Sequence, residues 1–216
     1  MAPPNDVRVK ICGLSTPETV SAAVDAGADW LGFVLVPSSP RTVSPEQARL
    51  LAEPARGRAG IVALTADASP DELAALVERV RPDVLQLHGR ESPGTCLFAQ
   101  GLGVEVWKAV GVASPQDLRR AAAYSAACDA VLLDARPPKG TDRTGGHGQA
   151  FDWSLLEDWR AGGPWLLAGG LRPENVAEAL RRTRAPAVDV SSGVETSPGV
   201  KDPRLISAFM SAVKSA

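Results

Sequence analysis

The feature that most restricts the fold of this chain is a unit that repeats eight times. Each unit pairs a short run rich in Val, Ile, Leu and Trp with a longer stretch of helical character. Such short apolar runs are typical of parallel strands that are buried on both faces. Successive runs begin between 21 and 35 residues apart, which leaves room for one helix and two loops. They begin at Val7, Trp30, Ala59, Val84, Glu105, Ala130, Trp165 and Ala187.

Seven stretches between these runs carry signals for helices. Several open with Ser-Pro or Thr-Pro followed by an acidic residue. The hydroxyl can cap free backbone amides, proline fits the first helical position, and the acid suits the positive end of the helix. The predicted helices are TPETVSAAVDAG, SPEQARLLAE, SPDELAALVERV, SPQDLRRAAAY, FDWSLLEDW, RPENVAEALRR and DPRLISAFMSAV.

Repeated strand–helix units with parallel strands predict an α/β fold, a (β/α)8 barrel that occupies residues 1–216 as a single domain. A chain of 216 residues, 44% of them hydrophobic, can bury such a core. An open doubly wound sheet is the alternative. The G-x-G-x-x-G motif expected after its first strand is absent, because KICGLSTPE holds a single glycine.

Composition excludes several classes of partner and compartment. The net charge is −2, from 23 basic and 25 acidic residues, so we expect no nucleic-acid or membrane partner. The longest apolar run, residues 30–36, is far shorter than the ~20 residues that span a bilayer, and the N-terminus has no apolar core for a secretory signal. Three cysteines without C-x-x-C spacing, and only two histidines, favour a cytoplasmic protein without a metal site.

Alternation along the strands sorts polar side chains onto the inward face of the predicted barrel. Active sites of such barrels lie at the carboxyl ends of the strands. The alternative is a neutral interior network in which Lys10 pairs with Asp189 and Lys108 pairs with Asp134. The residues expected to face inward are Lys10, Cys12, Gln86, His88, Lys108, Asp134 and Asp189.

Two of these residues end their strands and could carry chemistry. Cys12 ends the first strand, and Lys10 on the same face could favour its thiolate; the alternative is a buried structural cysteine. Asp134 ends the sixth strand and precedes the long segment ARPPKGTDRTGGHGQA, whose four glycines would let the backbone close over a ligand. This segment is either a lid or merely a flexible loop.

Other loops offer groups that bind anions. Gly169 and Gly170 follow the seventh strand and residues 191–193 (Ser191, Ser192 and Gly193) follow the eighth, the pair of loops that often binds phosphate in barrels. Arg41, after the second strand, could hold a carboxylate with its planar fork, or be a solvated loop residue. His88 lies either in the site or in the core as a satisfied histidine.

The order of these motifs resembles that in phosphoribosylanthranilate isomerases of tryptophan biosynthesis. The similarity covers nearly the whole chain, and the segments together are far more specific than any one alone. One departure lies in the glycine-rich segment, where His147 and Gln149 replace the usual Thr or Ser and Lys. The similar segments are KICG, GFVLVPSSPRTVSPEQA, LQLHG, LLDA, GGHGQAFDW, LAGGLRPENV and VDVSSGVETSPGVKD.

The resemblance implies a (β/α)8 barrel that catalyses an Amadori rearrangement without metal or cofactor. It implies that Cys12 is the general base, Asp134 the general acid and Arg41 the ligand of the anthranilate carboxylate. His88 would line the site, and the loops after strands seven and eight would bind the phosphate. Asp189 lies in a matching stretch and is counted with the substrate-binding residues. The partner is then a small phosphorylated substrate, and the protein is a monomer or a homodimer.

Three other functions stay open at this point. A Schiff-base aldolase would use Lys10 or Lys108 as its nucleophile. A barrel that binds sugar phosphates without catalysis would need neither Cys12 nor Asp134. An isomerase of histidine biosynthesis performs the same rearrangement, but it typically uses two aspartates, and Cys12 stands where the first of them would be.

Overall fold

The computed structural model describes residues 7–135, 152–157 and 159–216. Eight parallel strands hydrogen-bond in sequence order and close into a barrel, so the predicted (β/α)8 fold is confirmed. Each strand begins within one residue of its predicted start. The strands are β1 (Arg8–Cys12), β2 (Trp30–Val34), β3 (Gly60–Thr65), β4 (Val84–Leu87), β5 (Glu105–Val112), β6 (Ala130–Ala135), β7 (Trp165–Leu167) and β8 (Ala187–Val190).

Among the residues that the structure describes, seven α-helices surround the barrel, and most begin at the predicted caps. The hydroxyls of Ser44 and Ser69, for example, accept hydrogen bonds from backbone amides three residues later in full capping boxes. The helices are α1 (Pro17–Ala26), α2 (Pro45–Ala52), α3 (Pro70–Val80), α4 (Pro93–Gln100), α5 (Pro115–Tyr124), α6 (Val176–Thr183) and α7 (Pro203–Lys214).

Two helix predictions need correction. Helix α4 was not among the predicted helices, although Ser92 and Pro93 carry the same start signal and the Ser92 hydroxyl caps the amide of Thr95. The segment FDWSLLEDW was predicted to be a helix, but its described residues, 152–157 and 159, include a short 3-10 helix, Trp153–Leu156, capped by Asp152, and no α-helix. So short a turn forms without the sustained apolar face of a longer helix.

The interior of the barrel is apolar in its lower half. Trp30 and Trp107 meet edge to face there, with ring centroids 5.0 Å apart. The two rings supply volume that small residues on neighbouring strands leave open. The other interior apolar residues are Val62, Val84, Ala109, Ala130, Leu132, Leu166, Ala168 and Ala187.

The inward position of Trp107 makes the prediction for β5 wrong, because Lys108 then faces the helices. Its ammonium lies 3.1 Å from the carboxylate of Glu91 and donates to the carbonyl oxygens of Leu87, Gly89 and Ala109. The suggested pairing of Lys108 with Asp134 is therefore wrong too. Alternation separates the two faces of a strand but does not say which one faces inward. In β5 the large side chain of Trp107 occupies the interior, so Lys108 is on the outer face.

Acidic residues hold the amino-terminal end of the barrel together at three of its four even-numbered strands. An aspartate directly precedes β2, β4 and β6, and its carboxylate accepts a hydrogen bond from a backbone amide of the previous strand. These bonds hold neighbouring strands in register at the face opposite the carboxyl ends. They join Asp29 to Val9 at 2.8 Å, Asp83 to Ile61 at 2.7 Å and Asp129 to Val106 at 2.7 Å.

A small hairpin follows β8 and reaches the carboxyl-terminal mouth of the barrel. A 3-10 helix (Ser192–Val194) leads into β9 (Glu195–Ser197), which pairs antiparallel with β10 (Val200–Lys201). The sequence analysis did not predict this hairpin. Within the part of the chain that the structure describes, none of the helices has the length and apolarity to span a membrane.

We expect Asp83→Ala to lower the free energy of unfolding by about 1–3 kcal/mol, because the Ile61 amide loses a charged acceptor. Catalytic turnover should stay within twofold, since this face lies away from the site. Urea unfolding followed by circular dichroism measures the stability change, with the exposed helix substitution Glu78→Ala as the control. Equal stability of the two variants would contradict the role given to Asp83.

Candidate active site

A cavity opens at the carboxyl ends of the strands, where the polar residues of β1, β4, β6 and β8 meet. The structure brings nearly all of the predicted site residues to its wall. Those that line the cavity are Cys12, Arg41, His88, Asp134, Gly169, Gly170, Asp189, Ser191 and Ser192. The remaining one, Gly193, lets two loops pack, because a Cβ there would come within 1.8 Å of the Leu171 carbonyl oxygen.

A fully buried ion pair lies beneath the cavity. The Lys10 ammonium donates to Asp189 Oδ1 at 2.8 Å, across neighbouring strands β1 and β8, so this suggested pairing is confirmed. Burial disfavours the charged amine, but Asp189 and Cys12 outweigh it and hold the pKa of Lys10 above its ordinary value. Lys10 therefore places a fixed positive charge in the barrel interior.

Cys12 lies two residues beyond Lys10 on the same face and is almost wholly buried. Burial raises the pKa of the Cys12 thiol, and the charge of Lys10 opposes that shift only in part. Gly32 on β2 makes the space for this pair. A Cβ on Gly32 would come within 3.0 Å of Cys12 Sγ and 3.1 Å of Lys10 Cε. Gly32 was not among the predicted site residues. Only the register of β1 with β2 brings it beside Cys12.

The Asp134 carboxylate, on the same cavity as Cys12, is held by a backbone amide and by the imidazole of His88. Its Oδ1 accepts from the amide of Ala135 at 2.8 Å, and its Oδ2 lies 3.2 Å from His88 Nε2. His88 Nδ1 in turn lies 3.0 Å from Gln86 Nε2. In this arrangement a neutral His88 donates to Asp134 and accepts from Gln86. His88 is thus placed in the site rather than in the core.

The Gln86 amide can also support the opposite proton arrangement. Its Oε1 is buried without a hydrogen-bond partner among the described residues. A rotation of the amide by a half turn would bring Oε1 to a protonated Nδ1, and Nε2 of His88 would then accept a hydrogen bond from a protonated Asp134. The same three side chains can therefore hold Asp134 as carboxylate or as acid.

Arg41 meets a partner that the sequence analysis did not identify. Its Nε and Nη2 donate to the two carboxylate oxygens of Glu195, at 2.7 and 2.8 Å. The ammonium of Lys201 lies against the same carboxylate. Glu195 and Lys201 enter the site from the hairpin after β8, and no local spacing in the sequence links them to Arg41.

The loops after β7 and β8 form one continuous wall. Gly169 and Gly170 have φ angles of +82° and +66°, which glycine adopts at little cost. Asn175 holds the loop after β7 in this shape, because its side chain donates to the Gly170 carbonyl and accepts from the amide of Arg172, both at 2.9 Å. The wall includes the predicted phosphate-binding positions.

The glycine-rich segment, predicted to be either a lid or merely a flexible loop, lies outside the described residues from residue 136 onward. His147 and Gln149, the two departures from the family pattern, belong to it. Among residues 7–135, 152–157 and 159–216, no group of three or more His, Cys, Asp or Glu side chains is arranged to hold a metal ion.

The family follows from a comparison with known proteins. The model of the N-(5'-phosphoribosyl)anthranilate isomerase family matches residues 9–212. The chain belongs to the phosphoribosylanthranilate isomerase family. It is 53% identical over 207 residues to the N-(5'-phosphoribosyl)anthranilate isomerase of Rhodopseudomonas palustris strain BisA53, covering 95% of each chain. Against the enzyme of Bradyrhizobium sp. strain ORS 278, the identity is 52% over 209 residues, with 96% of this chain and 95% of the relative covered.

Solved structures of phosphoribosylanthranilate isomerases share the fold. The Thermotoga maritima isomerase superposes with a TM-score of 0.87 at 38% identity, covering 97% of this chain and all of the other. A second isomerase structure, in complex with reduced 1-(o-carboxyphenylamino)-1-deoxyribulose 5-phosphate, has a TM-score of 0.83 at 36% identity with the same coverage. The family resemblance stated from the sequence motifs is confirmed.

The pH dependence of Cys12 alkylation should show a thiol that is protonated at neutral pH. We expect the rate of reaction with iodoacetamide, followed by mass spectrometry of the Cys12 peptide, to reach its midpoint at higher pH than that of N-acetylcysteine. In Lys10→Met the midpoint should move higher still, because the stabilising cation is lost and Asp189 is left unpaired. A rate that is already maximal at pH 7 would contradict this account.

Proposed function

We propose that the chain converts N-(5'-phosphoribosyl)anthranilate to 1-(2-carboxyphenylamino)-1-deoxyribulose 5-phosphate in tryptophan biosynthesis. One observation carries the proposal beyond family membership: Cys12 on β1 and Asp134 on β6 line the same cavity as Arg41 and the loops after β7 and β8. A base, an acid and two anion-binding ends are what this reaction requires.

The reaction needs one proton donor and one proton acceptor. The acid protonates the ring oxygen of the furanose as the bond from that oxygen to C1 breaks, and the nitrogen lone pair forms an iminium. The iminium makes the C2 proton acidic, so a modest base removes it, and the resulting enolamine tautomerises to the ketone. No electrons leave the substrate, and the reaction needs only groups that hold and move protons.

Cys12 is the base in this proposal. Its thiol is buried, and a thiolate there would be stabilised by the charge of Lys10, which Asp189 keeps in place. The neighbouring Gly32 leaves the thiol room to approach a ligand from below. The base must be the thiolate, and Lys10 is the group that favours it against the effect of burial.

Asp134 is the acid. Its contact with His88, and that of His88 with Gln86, gives the carboxyl group a partner in either protonation state. With the imidazole proton on Nε2, His88 donates to Asp134 Oδ2 in both states, so a protonated Asp134 can give its proton to the ring oxygen and stay hydrogen-bonded as a carboxylate. His88 therefore acts on Asp134 and lines the site, as the family resemblance implies.

The two ends of the substrate would be held by fixed groups. The phosphate would lie against Gly169, Gly170, Ser191 and Ser192, where backbone amides and hydroxyls can donate. The carboxylate would lie on Arg41, whose planar fork binds carboxylates. Holding both ends places the C1–C2 segment between acid and base.

A Schiff-base aldolase fits the geometry less well. Lys10 is held as an ammonium by Asp189, so its lone pair is not free to attack a carbonyl. Lys108 lies outside the barrel interior and is bound by Glu91 and three carbonyl oxygens. Neither lysine presents a nucleophile to the cavity.

Substitution of the acid and the base tests the proposal. Cys12→Ala and Asp134→Asn should each lower kcat by at least ~10²-fold, because each removes one proton-transfer group. Both variants should still bind the reduced product analogue within a few fold of the unchanged protein, which calorimetry measures and which serves as the folding control. Turnover near that of the unchanged protein in either variant would remove that residue from the mechanism.

A further inference from the structure

The guanidinium of Arg41 is fixed along one edge only. The contact with Glu195 is bidentate and uses Nε and one hydrogen of Nη2. A guanidinium has five N–H groups, so both hydrogens of Nη1 and the second hydrogen of Nη2 are left over. Nη1 has no hydrogen-bond partner within the described residues. The free edge, Nη1 with Nη2, is itself a fork that matches a second carboxylate.

The aliphatic part of Arg41 is confined as well. A Cβ on Gly13 would come within 2.7 Å of Arg41 Cδ, so the side chain lies directly against the backbone after β1. A Cβ on Gly199 would come within 2.4 Å of the Pro40 carbonyl oxygen, which shows that the hairpin also packs on the loop that carries Arg41. The amide of Gly199 donates to Glu195 at 3.3 Å. Arg41 thus has little freedom to turn.

The charges of the cluster leave one positive charge unmatched. Glu195 contacts two cations, Arg41 and Lys201, and all three side chains are largely buried. Burial disfavours the carboxylate of Glu195, but the two cations outweigh it and keep the pKa of Glu195 below its ordinary value. Two cations and one anion carry a net charge of +1. A substrate carboxylate on the free edge would bring the cluster to neutrality.

We propose that Glu195 is a positioning residue that sets specificity for a carboxylated aromatic amine. It holds the plane of the Arg41 guanidinium so that the free edge faces the cavity, and it does so without occupying that edge. This inference rests on the proposed function, because it takes Arg41 as the group that binds the anthranilate carboxylate. In this proposal Glu195 acts on the substrate carboxylate through Arg41.

The test compares two ligands on matched variants. The first ligand is the reduced product analogue, and the second is the same compound with phenyl in place of 2-carboxyphenyl. The ratio of their dissociation constants, measured by calorimetry, isolates the part of binding that depends on the carboxylate. In the unchanged protein the second ligand should bind at least about tenfold more weakly, as expected for a charge-assisted hydrogen-bonded pair.

Glu195→Gln should reduce this ratio at least about threefold while the second ligand binds as before. The amide offers one acceptor and turns two donors toward the fork of Arg41, so the guanidinium loses its bidentate anchor. The double variant Glu195→Gln/Lys201→Met should show the same loss, and it leaves no buried ammonium unpaired should the single variant fold poorly. Lys201→Met alone keeps the pair of Arg41 with Glu195 and should keep the ratio.

The outcomes separate this inference from the proposed function. Arg41→Ala should bring the ratio close to one; an unchanged ratio in that variant would overturn the assignment of Arg41 and with it the role of Glu195, whereas the reaction itself is tested by the turnover of the Cys12 and Asp134 variants. If Arg41→Ala abolishes the discrimination and the folded Glu195 variants retain it, the positioning role of Glu195 alone is overturned. Equal weakening of both ligands by Glu195→Gln would show a merely structural role and would also overturn it.

Discussion

The buried ion pair of Lys10 with Asp189 is the interaction on which the site depends. Two charged groups lie inside the barrel, and their desolvation is offset only because the contact is short and the strands β1 and β8 hold it. Removal of either partner would leave an unpaired buried charge, which costs about 3–5 kcal/mol. The pair lies where the side chains inside the barrel change from apolar to polar. It also fixes a cation beside Cys12.

Below the ion pair, apolar side chains fill the interior of the barrel. Above it, the interior opens into the cavity. The rings of Trp30 and Trp107 close the lower half. Above them, the side chains of β1, β4, β6 and β8 are polar and the strand β2 contributes Gly32. The proposed acid and base thus stand on strands, whereas the groups proposed to hold the ends of the substrate stand on loops. The proposal therefore assigns catalysis and binding specificity to different parts of the fold.

The sequence predicted the fold and most of the site because those features are local. Strand runs, Ser-Pro caps and alternation located the eight strands, and they placed Cys12, His88, Asp134 and Asp189 on the inward face. The strand β5 was assigned the wrong way round, since alternation alone does not choose between its faces. Glu195 could not be found in this way, because it meets Arg41 from 154 residues away through a hairpin that carries no strong strand signal.

A crystal structure with the reduced product analogue tests the central claim most directly, because it shows where the two ends and the reacting carbons lie. The account predicts the carboxylate on the free edge of Arg41, the phosphate against Gly170 and Ser192, and the C1–C2 segment between Cys12 Sγ and the Asp134 carboxylate. An analogue bound in the reverse direction, or with C2 beyond the reach of Cys12, would contradict it.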